Sequence, residues 1–319
     1  MAWAFPYRSF LIAFAVLGPL HYLTELHWIR SKAYFTASSG WKWFAAIGAI
    51  LIALPRALYG IAKWMDIKVL DWIPWLGLFS QYTDVLIFSG IAVAVILVLR
   101  PPKASANWFI LSALLIAISL QSFENYHFIV GLLLPTIIHV YIFTLAFMLY
   151  GSLQSSSKWG FATFGLVLMI PFALLFAPIN APVHELQDTV KDTWLQSGFH
   201  VLNTGLRAIL GISDGTTFFF YEQAEIKMQS VISFAYIYHY LNWFSKTTII
   251  QWHQQITAKS GPLLAVVWFM LMGLFAVNYT LGFSVALIFS FAHVLFEFPV
   301  NIHSFKGIYE SIRLRLRSS

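Results

Sequence analysis

The sequence predicts an all-α protein, a polytopic integral membrane bundle of about nine transmembrane helices with one interfacial amphipathic helix. Of its 319 residues, 59% are hydrophobic and only 10% are charged, whereas a typical soluble domain has roughly 25% charged residues. Apolar runs of about 20 residues recur from end to end, and each is long enough to cross a hydrocarbon core as a helix. Helices are favoured because lipid offers no hydrogen-bond partners to the backbone.

Nine apolar segments form the predicted bundle, which we treat as a single transmembrane domain over residues 1–319. Links such as Arg100-Pro101-Pro102 separate them, as expected of helix-breaking residues. The first segment shows no small-residue cleavage site, so we expect a retained helix instead of a signal peptide. The predicted spans are residues 9–29, 41–62, 77–99, 107–123, 127–150, 159–177, 228–250, 261–278 and 281–299.

The distribution of Lys and Arg predicts the orientation. The side of the bundle that holds the C-terminus carries 12 of the 19 basic residues, and the positive-inside rule therefore places the C-terminus in the cytoplasm. We expect a multi-pass protein of a bacterial inner (plasma) membrane, with membrane lipids as its neighbours. Because the basic residues lie in short links and at the C-terminus, the net charge of +6 does not indicate nucleic-acid binding.

Residues 178–227 form the one long link, which we predict to be an extramembrane amphipathic insertion between helices six and seven. Apolar residues such as Leu186, Val190, Trp194 and Leu202 recur there at roughly helical spacing. Acidic residues occupy the other faces, a pattern typical of an interfacial helix. Two roles remain open for it, a surface cap that packs on the bundle and a lid over a lipid-facing entrance.

Four histidines lie well inside apolar spans: His21, His139, His239 and His293. Polar groups at this depth need partners, and ionisable residues inside a membrane are functional-site candidates. All four belong to odd-numbered spans, which run in the same direction, and each lies at a similar distance from the start of its span. We therefore expect the imidazoles to meet near the midplane and to form a metal site.

Two carboxylates follow these histidines at helical spacing. Glu25 lies four residues after His21 and Glu297 lies four residues after His293, so each is predicted on the same helix face as its histidine. Either carboxylate could ligate the metal or fix the imidazole tautomer. Asn242, three residues after the third histidine, is predicted to orient a substrate or a bound water.

The absence of cysteine excludes thiolate metal sites and haem attachment through CxxCH. A nitrogen-rich cage suits iron, copper or zinc, and its intermediate softness makes iron (Fe2+) the first choice. Haem with histidine axial ligands is the alternative cofactor. A third interpretation leaves the histidines in hydrogen bonds between helices without a metal.

Other ionisable residues have local interpretations. Glu124 and His127 show the E-x-x-H spacing of di-iron bundles, but they lie at a span boundary. Arg56 and Asp84 are assigned to ion pairs or to contacts at helix ends.

Several short stretches carry a family resemblance: Gly18-Pro19-Leu20-His21 in the first helix, Ile137-Ile138-His139 in a middle helix, His239 in a later one and His293 near the end. In this order they resemble the membrane β-carotene dioxygenases of the bacterioopsin-related (Brp/Blh) type. The resemblance implies a single iron held by histidines from separate transmembrane helices, and central cleavage of a carotenoid to retinal.

The sequence therefore predicts a membrane enzyme, an iron-dependent oxidase or oxygenase that acts on a lipophilic small-molecule substrate such as a carotenoid or a lipid. The aromatic residues, 18% of the chain, could line an apolar cavity for it. The alternatives are a haem-binding electron-transfer protein and a non-catalytic scaffold, accessory subunit or transporter.

Overall fold

The computed structural model describes residues 2–32, 39–67, 82–123, 126–178, 186–247 and 251–318. Within these ranges the regular structure is helical and no strand occurs, which confirms the all-α class. The helices, numbered in chain order, are α1 (Pro6–Lys32), α2 (Ser39–Trp64), α3 (Thr83–Leu99), α4 (Lys103–Leu120), α5 (His127–Phe143), α6 (Thr144–Ser155), α7 (Lys158–Phe176), α8 (Asp188–Ser197), α9 (His200–Ile209), α10 (Gln223–Ser245), α11 (Ser260–Val277) and α12 (Tyr279–Ser318), with a 3-10 turn at Trp252–Gln255.

Seven helical stretches of the described chain are long and apolar enough to cross a membrane, as judged by length and composition. The chain is thus a helical membrane bundle, but this criterion does not reach the predicted count of nine. The seven stretches are Pro6–Ser31, Gly40–Trp64, Lys103–Leu120, His127–Ser155, Lys158–Phe176, Ser260–Val277 and Tyr279–Arg317.

The two other predicted spans correspond to α3 and α10. Within the predicted span 77–99, α3 is an apolar helix of 17 residues, short of the roughly 20 that a crossing needs; positions 77–81 lie outside the described residues. Within 228–250, α10 is long enough, but it buries Gln229, Ser230, Ser233 and His239 inside the bundle. These polar side chains lower the hydropathy of a helix that faces protein instead of lipid.

Five helices of the described chain contain an internal proline, and the prolines of α12 and α5 lie where the helix bounds or winding differ from the prediction. α12 continues for 40 residues through Pro299, although the predicted span ends there, because neighbouring helices satisfy backbone groups freed by a proline inside a bundle. α5 contains Pro135 and is wound as a π-helix before it passes into α6. Pro135 removes one backbone donor, and nothing else in the structure explains the length of the π-helical segment.

The helices run between two ends of the bundle, which we call the cap end, where α8 and α9 lie, and the tail end, where α12 finishes. α1 begins at the cap end, because Tyr7 packs edge-on against Trp194 of α8. α10 also begins there, since Asn203 of α9 donates a hydrogen bond to the Glu225 carbonyl. The first turn of α5 contacts α9, and the first turn of α12 contacts α8. All four helices therefore run from the cap end to the tail end.

The predicted single amphipathic helix of residues 178–227 is instead two short helices, α8 and α9. Gly198 breaks the helix with a φ of 75°, a left-handed conformation that glycine adopts at little cost. The next residue but one, His200, is half-buried and not freely solvated. Burial and the nearby charge of Arg56 lower the pKa of His200. Residues 179–185 of the insertion, with His184 and Glu185, lie outside the described residues.

α8 and α9 pack on the bundle as a cap. Trp194 is fully buried and contacts Phe10 at a ring-centroid distance of 5.2 Å. Arg207 is buried in ion pairs with Glu225 and Glu222. The buried Trp194 and the buried Arg207–Glu225 ion pair together hold the insertion against α1 and α10.

The interior is built around α1, α10 and α12. Their aromatic residues form a buried cluster towards the cap end, while α2 packs closely along α12 through Gly48 and Gly60, as small residues allow in membrane bundles. By contrast, α4, α7 and α11 expose most of their apolar surface. These three helices form the lipid-facing periphery, and the four histidine-bearing helices form the centre.

Candidate metal centre

The structure brings the four intramembrane histidines together in the interior. His21 lies on α1, His139 on α5, His239 on α10 and His293 on α12, and all four side chains are buried. Their ring centroids lie 4.6 to 5.2 Å apart between neighbouring rings. Because the four helices run in the same direction, positions at similar distances along them meet at one level.

The imidazoles face one another through their Nε2 atoms. Nε2 of His21 lies 2.9 Å from Nε2 of His239, and Nε2 of His139 lies 3.1 Å from Nε2 of His293. His21, His239 and His293 offer donor atoms that all lie within 4.8 Å of one another. His139 joins this triad through His293.

These separations fit donors on a single metal ion. Two nitrogens bound at about 2.1 Å to one ion lie roughly 3.0 Å apart at a right angle and roughly 3.4 Å apart at the tetrahedral angle. The two measured Nε2 separations, 2.9 and 3.1 Å, match the right-angled arrangement. Neutral imidazole nitrogens suit iron, copper or zinc better than magnesium or calcium.

Glu25 lies on the donor side of its histidine. One oxygen of its carboxylate, Oε2, is 3.1 Å from Nε2 of His21, the same nitrogen that faces His239. This oxygen is buried and has no hydrogen-bond partner among the described residues. Glu25 is therefore placed to add an oxygen donor beside the imidazoles.

Glu297 does not stay with the histidine of its own helix. Its Oε2 lies 3.1 Å from Nδ1 of His139 on α5, not beside His293, with which the sequence spacing paired it. Nδ1 is the ring nitrogen of His139 that faces away from the cluster, because Nε2 faces His293. Glu297 is thus placed behind a histidine, where a carboxylate can fix the ring and its tautomer.

Thr144 holds the third histidine in a comparable way. Its Oγ1 lies 2.8 Å from Nδ1 of His239, and both groups are buried. When the hydroxyl oxygen accepts the Nδ1 proton, the Nε2 lone pair of His239 is free to point into the cluster. Sequence analysis missed Thr144, because a single threonine inside an apolar span carries no signal that separates it from packing.

Asn242 is not brought into the cluster. Its side chain is half-buried, and within the described chain it has no hydrogen bond to a histidine. Trp243, one residue further on, takes the position towards α1, with its ring 5.6 Å from that of His21. Its Nε1 donates a hydrogen bond of 3.0 Å to Thr24 Oγ1.

Aromatic residues close the cluster towards the cap end. The ring of Tyr22 stacks on His293 at 4.5 Å, and the hydroxyls of Tyr22 and Tyr240 lie 3.0 Å apart. A Cβ atom on Gly18 would come within 3.0 Å of the Tyr22 hydroxyl and 3.2 Å of the Tyr240 hydroxyl. Glycine at position 18 therefore leaves the room that this tyrosine pair occupies.

The remaining ionisable residues lie away from the cluster. His127, an exposed residue, pairs with the buried Asp84 at 3.1 Å, while Glu124 of the E-x-x-H pattern lies outside the described residues. Arg56 donates a hydrogen bond to the Ser197 carbonyl at 2.6 Å, a contact with the last residue of α8 and not an ion pair. His27 bonds the carbonyl of Gln255 near the tail end.

No protein-family model matches this chain, and no curated protein and no solved structure matches it either.

Proposed function

We propose that this chain is a membrane-embedded metalloenzyme that uses a single iron ion, held by its buried histidines, to oxidise a lipophilic substrate with O2. The observation that carries the proposal is the spacing of the imidazole nitrogens, 2.9 and 3.1 Å. That spacing suits neighbouring donors on one ion, and it is also the length of a direct N–H···N hydrogen bond between two imidazoles, so metal analysis decides between the two arrangements. The iron would supply the activation of O2, a reaction that non-haem iron performs in sites with open positions.

Each residue of the cluster has a distinct role in this proposal. His21, His239 and His293 hold the ion, with His139 as a fourth nitrogen donor. Glu25 adds the oxygen donor, so the set resembles the histidine and carboxylate ligation of non-haem iron oxygenases. The lack of cysteine removes the thiolates that would favour softer ions or iron–sulfur clusters.

Thr144 and Glu297 act through the histidines. Thr144 Oγ1 accepts a hydrogen bond from Nδ1–H of His239 in the tautomer that frees Nε2, and Glu297 faces Nδ1 of His139. Such partners fix the ring orientation and raise the basicity of the ligand.

The apolar character of the surroundings supports a lipophilic substrate. On the cap side the interior is aromatic, with Phe10, Phe14, Tyr22, Tyr236 and Tyr240 in one buried group. The bilayer is the natural source of such a substrate, and a carotenoid is the class that the resemblance to the Brp/Blh-type dioxygenases implies. Membership of that family is part of the proposal.

Haem fits the cluster less well than a single ion. Two axial imidazoles bound to one haem iron place their nitrogens about 4 Å apart, with a flat macrocycle between the rings. The nitrogens of the His21–His239 and His139–His293 pairs are closer than that, and Tyr22 already stacks on the face of His293 at 4.5 Å.

We further propose that α3 and α10 complete nine crossings. α10 bears a ligand of the cluster and runs beside α1 through the centre of the bundle, so its polar residues contact protein and not lipid. With nine crossings the positive-inside rule places the tail end in the cytoplasm of a bacterial cell and the cap end outside.

Metal analysis of the purified chain tests the proposal. Protein purified in detergent and reconstituted with Fe2+ without oxygen should hold one iron per chain and show no Soret band. His21→Ala and His293→Ala should each lower the bound iron severalfold, whereas His253→Ala, at an exposed position in the 3-10 turn, should leave it unchanged. Iron that is absent from the wild type, or equal in all variants, would refute the metal centre.

A further inference from the structure

Buried polar side chains line one face of α12 from the cluster to the tail end. They are His293, Glu297, Asn301 and Ser304, and each is 5% exposed or less. The spacings of four, four and three residues keep them on the same side of the helix. From His293 to Ser304 the helix rises about 16 Å, roughly half of a 30 Å hydrocarbon core. A line that begins near the midplane therefore ends near the membrane surface.

Several atoms along this line lack a partner. Both side-chain atoms of Asn301, Oδ1 and Nδ2, are buried without a hydrogen bond in the described chain, and Glu297 Oε2 has only its contact of 3.1 Å with Nδ1 of His139. The Asn301 amide lies next to the Glu297 carboxylate, but not in hydrogen-bond geometry. Ser304 differs, because its hydroxyl donates to the Val300 carbonyl at 3.1 Å.

Polar atoms in this situation call for water. A buried amide without a partner loses the hydrogen bonds that water would give it, and this loss outweighs what most single interactions contribute. Buried waters occur where two to four polar groups can bond each one, and Asn301 supplies two unpaired atoms one turn of helix from the Glu297 carboxylate. The tail end is the nearest source of water for them.

The opposite side of the cluster is closed to water by comparison. The hydroxyls of Tyr22 and Tyr240 satisfy each other at 3.0 Å, and the space beyond them is filled by aromatic rings such as Phe14 and Tyr236. Buried polar atoms without hydrogen bonds thus lie on the tail side of the histidines, and aromatic rings lie on the cap side.

We propose that a file of bound water molecules, held by Glu297 and Asn301, connects the cluster with the tail end of the bundle. The side chains of α12 bind the water molecules, and the Tyr22–Tyr240 pair keeps them from passing the cluster towards the cap end. Water reaches the histidines from one face of the membrane only, while the aromatic side stays dry. The presence of the water file follows from the unpaired atoms alone; its use by a metal centre rests on the proposed function.

The absence of cysteine from the chain permits a direct test. Single-cysteine variants Asn301→Cys and Leu295→Cys would be compared in sealed membrane vesicles with a charged, membrane-impermeant methanethiosulfonate. Asn301 and Leu295 lie on the same helix and are equally buried, at 2% and 1% exposed. A thiol reacts as the thiolate, which forms in water and not in apolar surroundings.

We expect Asn301→Cys to react roughly tenfold faster than Leu295→Cys, because only the former thiol contacts water. The reaction should occur when the reagent is on the tail side and not when it is on the cap side. Arg313→Cys, at an exposed position, identifies the vesicles whose tail side faces the reagent. Equal, slow reaction of the two buried thiols would overturn the proposal.

A second measurement keeps the wild-type sequence. X-ray radiolysis generates hydroxyl radicals from internal water, so side chains beside the water file, such as Phe298 and Ile302, should be oxidised within milliseconds, and Asn301→Leu should abolish this oxidation. No oxidation of residues 297–304 in the wild type would contradict the water file. Iron content, measured on the same samples, separates the two proposals: a chain that binds iron but shields position 301 has the metal centre without the water file, and rapid labelling without iron supports the water file alone.

Discussion

Glu297 follows His293 by one turn of α12, yet its carboxylate oxygen lies 3.1 Å from Nδ1 of His139 on α5. Glu25, at the same spacing from His21, instead lies 3.1 Å from Nε2 of its own helix's histidine. The same sequence spacing therefore places the Glu25 carboxylate beside the Nε2 atoms that face one another, and the Glu297 carboxylate beside Nδ1, on the far side of the His139 ring.

This difference predicts unequal effects of the same substitution. Glu25→Gln replaces a charged oxygen donor by a neutral one and should weaken Fe2+ binding by more than tenfold. Glu297→Gln keeps an oxygen that can accept the Nδ1 proton of His139, so it should change affinity only slightly, whereas Glu297→Leu should cost about 10- to 100-fold. Competition with a chelator measures all three affinities. Equal losses for Glu25→Gln and Glu297→Gln would show that the two carboxylates are equivalent.

We predict that the Thr144 hydroxyl increases the affinity of the cluster for metal. Thr144→Val keeps the shape of the side chain but removes the acceptor 2.8 Å from Nδ1 of His239, and metal affinity should fall about 10- to 100-fold. Thr144→Ser should restore most of it. Thr204→Val is the matched control, because Thr204 is also buried and its hydroxyl donates to the His200 and Val201 carbonyls of its own helix in the cap. A loss of affinity in the control as large as that in Thr144→Val would contradict a specific role.

The room left by Gly18 predicts a steric effect. In Gly18→Ala the new methyl group would lie 3.0 Å from the Tyr22 hydroxyl and 3.2 Å from the Tyr240 hydroxyl, so the tyrosine pair must shift, at a cost of about 1 to 3 kcal/mol in the free energy of unfolding. Gly165→Ala on α7, which meets no atom within 4 Å in the described chain, is the control and should be neutral or slightly stabilising.

A second substitution shows whether the tyrosine hydroxyl causes the loss at position 18. The penalty of Gly18→Ala should shrink in a Tyr22→Phe background, because the nearest atom is gone. Thermal unfolding in mild detergent gives the stabilities of the wild type, the two single variants and the double variant. A penalty of Gly18→Ala that is unchanged by Tyr22→Phe would show that the Tyr22 hydroxyl does not cause it.

Trp194 is predicted to fasten the cap to the bundle. It is fully buried between Tyr7 and Phe10, with centroid distances of 5.1 and 5.2 Å, and Trp194→Ala should lower the free energy of unfolding by about 3 to 5 kcal/mol. The neighbouring Leu195 is 44% exposed, so Leu195→Ala should change it by no more than about 0.5 kcal/mol. Limited proteolysis of residues 186–222 reports local opening, and similar cleavage of both variants would argue against the anchor.

The sequence was sufficient to predict the helical membrane class and the convergence of the four histidine side chains in the interior. The depth of a residue within an apolar run depends only on spacing along one helix. The sequence was also sufficient for Glu25 beside His21. It was not sufficient for Glu297, since helical spacing gives the face of a residue but not which neighbouring helix that face meets. By contrast, the glycine at position 198 favours a helix break, but the apolar periodicity around it predicts one continuous helix.

Other features of the cluster had no readable signal. Thr144 follows His139 across the change from π-helix to α-helix, a change that periodicity does not announce. Asn242 and Trp243 differ by one position on α10, and the packing of α10 against α1, not the spacing from His239, determines which of them points to His21. Such choices depend on how helices rotate about their axes, which is set by packing between elements.

The cluster joins the first helix of the chain to the last, because the ring of His21 lies 5.2 Å from that of His293. During synthesis His21 enters the membrane first and His293 enters after every other helix of the bundle. If the cluster binds metal as proposed, a ribosome-bound chain that still lacks α12 has no complete ligand set, so metal capture would follow the insertion of α12. Occupancy of the centre would then report, in a living cell, that α1, α5, α10 and α12 have assembled.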